Sequence, residues 1–207
     1  MIRLAVFDFD STLMDGETID FLAAAYGKAK EVSNITERTM QGELDFFESL
    51  QQRVSLLKGL PEAVANKVFA GLPYMPGAKD CITELKSRGI TVICFSGGFR
   101  PATTLGRKAL GFDADFANIL HVRDGELSGL VGGDMMFSHS KGDMLERLQS
   151  LLGISEAETM AIGDGANDLS MFERAGTRIA FCAKPVLQDA ATHCVNEKDL
   201  MRIPELI

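Results

Sequence analysis

Short apolar runs punctuate the chain at Ile2 to Phe7, Ile90 to Phe95, Thr159 to Ile162 and Ile179 to Ala183, with longer stretches of helical period between them. Runs of this kind, lacking polar alternation, suit strands buried on both faces, and strands that alternate with helices pair in parallel. From about Gly16 to Leu72 the alternation lapses: helical period and helix stops continue, but no strand is evident. The pattern predicts an α/β fold, with a Rossmann-like parallel-sheet core over residues 1–15 and 73–207 and an inserted helical-bundle cap over 16–72. Within the cap, Leu44, Phe47, Leu50, Val54 and Leu57 recur at helical spacing, and Lys58-Gly59-Leu60-Pro61 stops the helix. Such a stripe is core packing. Farther along, Ile119 to Arg123 and Glu126 to Val131 flank Asp124-Gly125, a two-residue turn that predicts a β-hairpin.

Composition narrows the partners. The 207 residues are 46% hydrophobic and 24% charged, enough for a sizeable core under a polar surface. A net charge of -8 argues against nucleic-acid binding, which needs a basic stripe, so any phosphate site must be locally basic. The opening apolar run is too short for a signal peptide or membrane span, so no membrane partner and a cytoplasmic location are expected. Cys81, Cys94, Cys182 and Cys194 show no C-x-x-C spacing and are expected to be buried, reduced thiols. Oligomeric state is not legible.

Candidate chemistry gathers where strands end. Asp8 and Asp10 follow the first run directly and share one side of the chain by the two-residue period of a strand. Open α/β sheets bind ligands at that end. Gly163-Asp164-Gly165-Ala166-Asn167-Asp168 follows a later run in the same way, so the two acidic ends can meet. An ionised aspartate can attack phosphorus without a helping base, and a magnesium ion would neutralise carboxylates and phosphoryl oxygens together. Alone, an Asp-x-Asp is also what an acidic turn or helix cap looks like. Ser96-Gly97-Gly98 is expected as a turn between strand and helix, small enough for backbone N–H groups to approach a phosphoryl oxygen. Lys141 sits in Ser140-Lys141-Gly142-Asp143, a helix start with Ser140 as candidate N-cap. There a lysine opposes the helix dipole unless an anion lies nearby. A solvated surface lysine is the plain alternative.

In this order, Asp8-Phe9-Asp10-Ser11-Thr12, Ser96-Gly97-Gly98, Lys141 and Gly163 to Asp168 resemble the four motifs of the haloacid dehalogenase superfamily. Glu17-Thr18-Ile19-Asp20, Arg53-Val54-Ser55-Leu56-Leu57 and Ala180 to Pro185 are similar to its phosphoserine-hydrolysing members. The resemblance implies a small-molecule substrate, phosphoserine, hydrolysed as the last step of serine biosynthesis. It further implies that Asp8 is the nucleophile and Asp10 the acid and base, with Mg2+ held by Asp8, the Asp10 carbonyl and Asp164, supported by Asp168. Ser96, Gly97 and Lys141 would hold phosphoryl oxygens, and Asn167 would orient the phosphoryl group or Lys141. Glu17 would meet the substrate ammonium and Arg53 its carboxylate, for which a planar guanidinium fork is suited. Phe46 lies seven residues before Arg53, within roughly 20° on one helix face, and is either pocket lining or packing.

Three other readings stay open. The aspartyl-phosphate could be passed to an acceptor such as homoserine, the substrate could be another small phosphomonoester, or the chain could be a receiver-like signalling domain, which the cap and the Asp8/Asp10 pair disfavour. No regulatory domain is expected before the first strand. His121, His139 and His193 carry no catalytic signal, and Gly132 to Ser140 matches no motif.

Overall fold

The structure, a computed structural model, describes residues 1–40 and 43–207; Gln41 and Gly42, within the stretch read as a cap, lie outside the described residues. Seven strands form one sheet: β1 (Leu4–Asp8), β2 (Thr91–Phe99), β3 (Ala114–Arg123), β4 (Glu126–Gly133), β5 (Thr159–Gly163), β6 (Thr177–Phe181) and β7 (His193–Val195). Their order is β4-β3-β2-β1-β5-β6-β7, parallel throughout except for the antiparallel β3/β4 pair. The unbroken apolar run of β1 follows from its central place. Leu4 and Val6 face one apolar cluster with Phe95, Leu145 and Ala161, while Ala5 and Phe7 face a second with Val92, Leu85 and Ile162.

Four helices, α1 (Thr18–Ala25), α2 (Ala29–Met40), α3 (Phe46–Ser55) and α4 (Glu62–Ala70), fill the segment after β1. Asp45 caps α3 by accepting the Glu48 N–H at 2.7 Å. Of the stripe read from sequence, Leu50, Val54 and Leu57 are buried and Leu44 and Phe47 are half-buried. The remaining helices are α5 (Ala78–Ser87), α6 (Arg100–Leu110), α7 (Ser140–Leu152), α8 (Leu169–Phe172) and α9 (Pro185–Gln188).

The hairpin forms where Asp124-Gly125 places it. Both turn residues have positive φ, 54° and 79°, matching a turn whose twist suits the strands it joins. Its outer strand would be an exposed edge, but the α3–α4 loop covers it. Gly59 N–H donates to the Leu127 carbonyl at 2.9 Å, Leu127 N–H to Leu60 at 2.8 Å, and Glu62 N–H to Gly125 at 2.8 Å.

Several expectations shift. Ser96, Gly97 and Gly98 lie within β2 rather than in a turn after it. Ser96 pairs with Ala117 and Phe99 with Asn118, so the two glycines form an irregularity with no partners across the ladder. Ser140 is the first residue of α7 and His139 occupies the N-cap position. All four cysteines are free thiols, but only Cys81 and Cys94 are buried; Cys182 lies beyond β6 at φ 46°, and Cys194 is exposed on the edge strand β7.

Candidate active site

The carboxyl ends of β1, β2 and β5 meet the start of α7 at one point, beside the place where the chain's strand order reverses around β1. Asp8 ends β1 and is 3% exposed. Its Oδ1 accepts the Phe9 N–H at 2.7 Å and lies 2.7 Å from Lys141 Nζ. Lys141 is also 3% exposed, which removes the surface-lysine alternative, and its second partner is Asp168 Oδ1 at 2.5 Å. Asp168 is fully buried, and its Oδ2 accepts the Asp164 and Gly165 N–H groups at 3.0 and 3.1 Å. A side chain on Gly163 would collide with that same oxygen, so the glycine is the space in which Asp168 turns back under the loop.

Asp10 is held from two sides. Its Oδ1 accepts both the backbone N–H (2.6 Å) and the hydroxyl (2.5 Å) of Thr18, the first residue of α1, and its Oδ2 accepts the Ser96 hydroxyl at 3.1 Å. Gly98 N–H donates to Ser96 Oγ at 2.9 Å, which leaves the Ser96 hydrogen free to point at Asp10. The carbonyl of the same Gly97–Gly98 peptide accepts from Asn118 Nδ2 at 3.0 Å. Fully buried Asn118 also bonds Met135 N–H and carbonyl, tying the β2 irregularity to the segment that leads into α7. Sequence reasoning missed Thr18 and Asn118. The signal for Asn118 is a lone amide inside the apolar run Phe116 to Leu120; that for Thr18 is a hydroxyl residue opening a helix.

The other candidates surround this centre. Ser11, at φ 57°, donates its hydroxyl to Glu17 Oε1 at 2.7 Å. Glu17 is solvent-exposed, yet protein crowds its carboxyl. Arg53 is half-buried on α3 and, among the described residues, bonds only back to the Ser49 carbonyl, so most of its fork is unused. Phe46 presses on the irregular end of β2: a Cβ on Gly97 would lie 2.9 Å from its ring. Asn167 sits half-buried in the turn between Asp164 and Asp168.

The electrostatics are those of an acidic site short of cations. Burial, then the Asp168 charge, raises the Asp8 carboxyl well above the usual range, and Lys141 offsets part of this. Burial also raises Asp10 against the opposing bonds from Thr18 and Ser96. Burial and the neighbouring Asp168 push Asp164 up to about 7, and crowding and Asp10 push Glu17 up to about 8. Burial alone would depress Lys141, but Asp168 and Asp8 outweigh it and its net shift is upward. Carboxylate oxygens of Asp8, Asp164 and Asp168 lie within 4.8 Å of one another, and the buried hydroxyl of Thr12 has no partner among the described residues. Hard oxygen donors in excess of positive charge fit a divalent cation such as magnesium.

Comparison with known proteins agrees with this geometry. A family model described as haloacid dehalogenase-like hydrolase matches residues 2–176. A phosphoserine phosphatase of Wolinella succinogenes is 56% identical over 202 residues, 98% of each chain. Another, from Methanocaldococcus jannaschii, is 46% identical over 99% of this chain and 97% of its own. Among solved structures, a phospho-aspartyl intermediate analogue of phosphoserine phosphatase superposes with a TM-score of 0.95 at 46% identity, covering 100% of this chain and 99% of that one. A substrate-bound phosphoserine phosphatase complex superposes equally well, at 45% identity and the same coverage. Among the described residues, no helix is long and apolar enough to cross a membrane.

Gly98→Ala tests whether the β2 irregularity sets the site. Its Cβ would fall 2.5 Å from Asp10 Oδ2 and 3.1 Å from Ser96 Oγ. Displacing these groups by an ångström is expected to lower kcat for phosphomonoester hydrolysis by about 100-fold, with the melting temperature showing that the variant stays folded.

Proposed function

The chain belongs to the haloacid dehalogenase-like hydrolases, and we propose that it hydrolyses O-phospho-L-serine to L-serine and phosphate through an acyl phosphate on Asp8. Residues 1–15 and 73–207 serve as the catalytic core and 16–72 as a cap that selects the substrate. The observation that carries this reading is Asp8 itself, a buried carboxylate at a strand end, fixed through Oδ1 by Phe9 N–H and Lys141, with Oδ2 free of protein partners among the described residues.

The residues divide the work. Asp8 attacks phosphorus in line as the phosphorus–oxygen bond to serine breaks. Asp10, which burial inclines to hold a proton, gives it to the leaving serine oxygen. The same carboxylate, now ionised, takes a proton from the water that hydrolyses the acyl phosphate. Ser96, Gly97 and Lys141 cradle the phosphoryl oxygens, and Asn167 steadies them from the turn after β5. Glu17 receives the ammonium and Arg53 the carboxylate, so both ends of the amino acid are fixed by charge. Asp8, the Asp10 carbonyl and Asp164 would hold Mg2+, with Asp168 steadying the loop from behind, and the metal would supply charge neutralisation for carboxylates and phosphoryl oxygens. The cytoplasm is the compartment this reading favours.

Three outcomes are expected. Asp8→Asn abolishes phosphate release from phosphoserine while the circular dichroism spectrum is unchanged; full magnesium-dependent turnover in that variant would remove the mechanism. Arg53→Ala collapses the kcat/KM preference for phosphoserine over a plain aryl phosphate by ten- to 100-fold, on the order of a lost charge-assisted pair. The third concerns pH. Asp8 and Asp164 start from 3.8 in the unfolded chain and are raised in the folded one, Asp164 to about 7. The folded metal-free protein therefore binds more protons across that window, and these two groups lower its stability as pH rises through it. Magnesium binds the deprotonated carboxylates, so its increment in melting temperature is expected to be larger at pH 8 than at pH 5.5. Equal increments in a thermal-shift assay would contradict this.

A further inference from the structure

We infer that Phe47 and Phe137 are positioning residues for the proposed reaction, pinning α3 of the cap to the start of α7 and so setting Arg53 over the phosphate cradle; the inference rests on the reading above. The two rings stack across cap and core with centroids 4.9 Å apart and planes 17° apart. Phe137 stacks in turn on His139, at 5.4 Å and 8°. His139 occupies the N-cap position of α7, two residues before Lys141. The segment with no legible motif thus ends in an aromatic bracket beside the lysine.

The position of the pair along α3 gives it leverage. Phe46, its neighbour, lies against Gly97, so the first turn of α3 touches both strands of the cradle's support at once: the β2 irregularity and the approach to Lys141. Beyond the far end of α3, the loop is held differently, by the backbone bonds of Gly59 and Leu60 to Leu127. Breaking those would expose unpaired peptide groups, which the chain must then solvate. Parting two rings strands no polar atom. Asp8, Ser96 and Lys141 are 3, 0 and 3% exposed, so a phosphoryl group reaches them only if surrounding groups give way. Of the two contacts, the aromatic stack is the one that can part and re-form at less cost. Phe137 is 47% exposed even when stacked, consistent with a contact built to be reversible rather than a piece of core.

A stacked pair of this kind shifts an equilibrium by about two- to tenfold. Phe137→Ala is expected to raise KM for phosphoserine by about three- to tenfold, with kcat within about twofold. KM for 4-nitrophenyl phosphate, which offers nothing to Glu17 or Arg53, should hold. Phe137→Tyr keeps a flat ring and should restore the native KM, whereas Phe137→Leu keeps apolar bulk without the stack and should behave like Ala. A native KM in the Ala variant, an equal rise on both substrates, or a native KM in the Leu variant overturns the assignment. Absence of any preference for phosphoserine in the unaltered protein would instead refute the substrate reading. The stack is then read without that substrate: Phe137→Trp introduces the one indole in a chain that has no tryptophan. Inorganic phosphate with magnesium should shift its emission, and Phe47→Ala should remove the shift. No shift in the single variant overturns the proposal.

Discussion

The Lys141 ammonium, buried between Asp8 and Asp168, is the contact around which the site is arranged. Three chain segments distant in sequence must deliver their ends to one spot for it to form, and each ion is removed from water in doing so. Such a pair is weak evidence for stability, since the desolvation of its members offsets most of their attraction. Its consequence is positional. Among the described residues Lys141 is the one buried cation beside Asp8, Asp10, Asp164 and Asp168, so the site keeps an excess of negative charge and holds it in low-dielectric surroundings. The upward shifts of Asp8, Asp10 and Asp164 express that excess, and a phosphoryl substrate would worsen it unless a metal entered with it.

Around this pair, small residues decide which atoms face inward. Gly163 leaves room for Asp168 to fold back onto the N–H groups of Asp164 and Gly165, which turns its other oxygen toward Lys141. Gly98 leaves room for Asp10. The pairing skipped at Gly97 and Gly98 would strand a peptide carbonyl, and Asn118 supplies the donor the ladder does not. One run of hydrogen bonds then passes from Asn118 through that peptide to Ser96 and Asp10, and Thr18 closes it from α1. The proton carrier proposed for both half-reactions is thereby oriented from the sheet and from the cap together.

What could be read in advance follows from range. Asp8, Ser96, Lys141 and Asp164 sit next to apolar runs or a helix start, so a local pattern suffices to place them, and Asp124-Gly125 announces its hairpin by turn chemistry alone. The β2 irregularity was not legible, because it exists only relative to the register of β3. Nor were Thr18 and Asn118, whose partners lie 8 and 21 residues away. Phe47 and Phe137 are harder still, since one looks like part of a core stripe and the other like a loop residue until the helix bundle is set against the sheet. The expectation that Cys194 is buried fails because β7, which carries it, is the last strand of the sheet.

In the proposed mechanism substrate choice and bond breaking are separated between the inserted helices and the sheet, and the separation has a mechanical cost. In that mechanism the cradle on the sheet recognises what all phosphomonoesters share, whereas Glu17, at the N-cap of α1, and Arg53, on α3, would recognise the amino acid. On that proposal, specificity depends on how faithfully the inserted helices and the sheet hold one relative position. Covalent connections at both ends of the insert and the backbone bonds to β4 fix one side of it. Near the reacting atoms the insert is held by the Thr18 hydrogen bonds to Asp10 and, on α3, by contacts with lower reorganisation cost, Phe46 on Gly97 and the Phe47–Phe137 pair. Tighter contacts there would improve alignment but slow release of serine and phosphate. Modest, nondirectional contacts between flat rings meet both demands, because they regain the same geometry on closing and leave no polar group unsatisfied on opening.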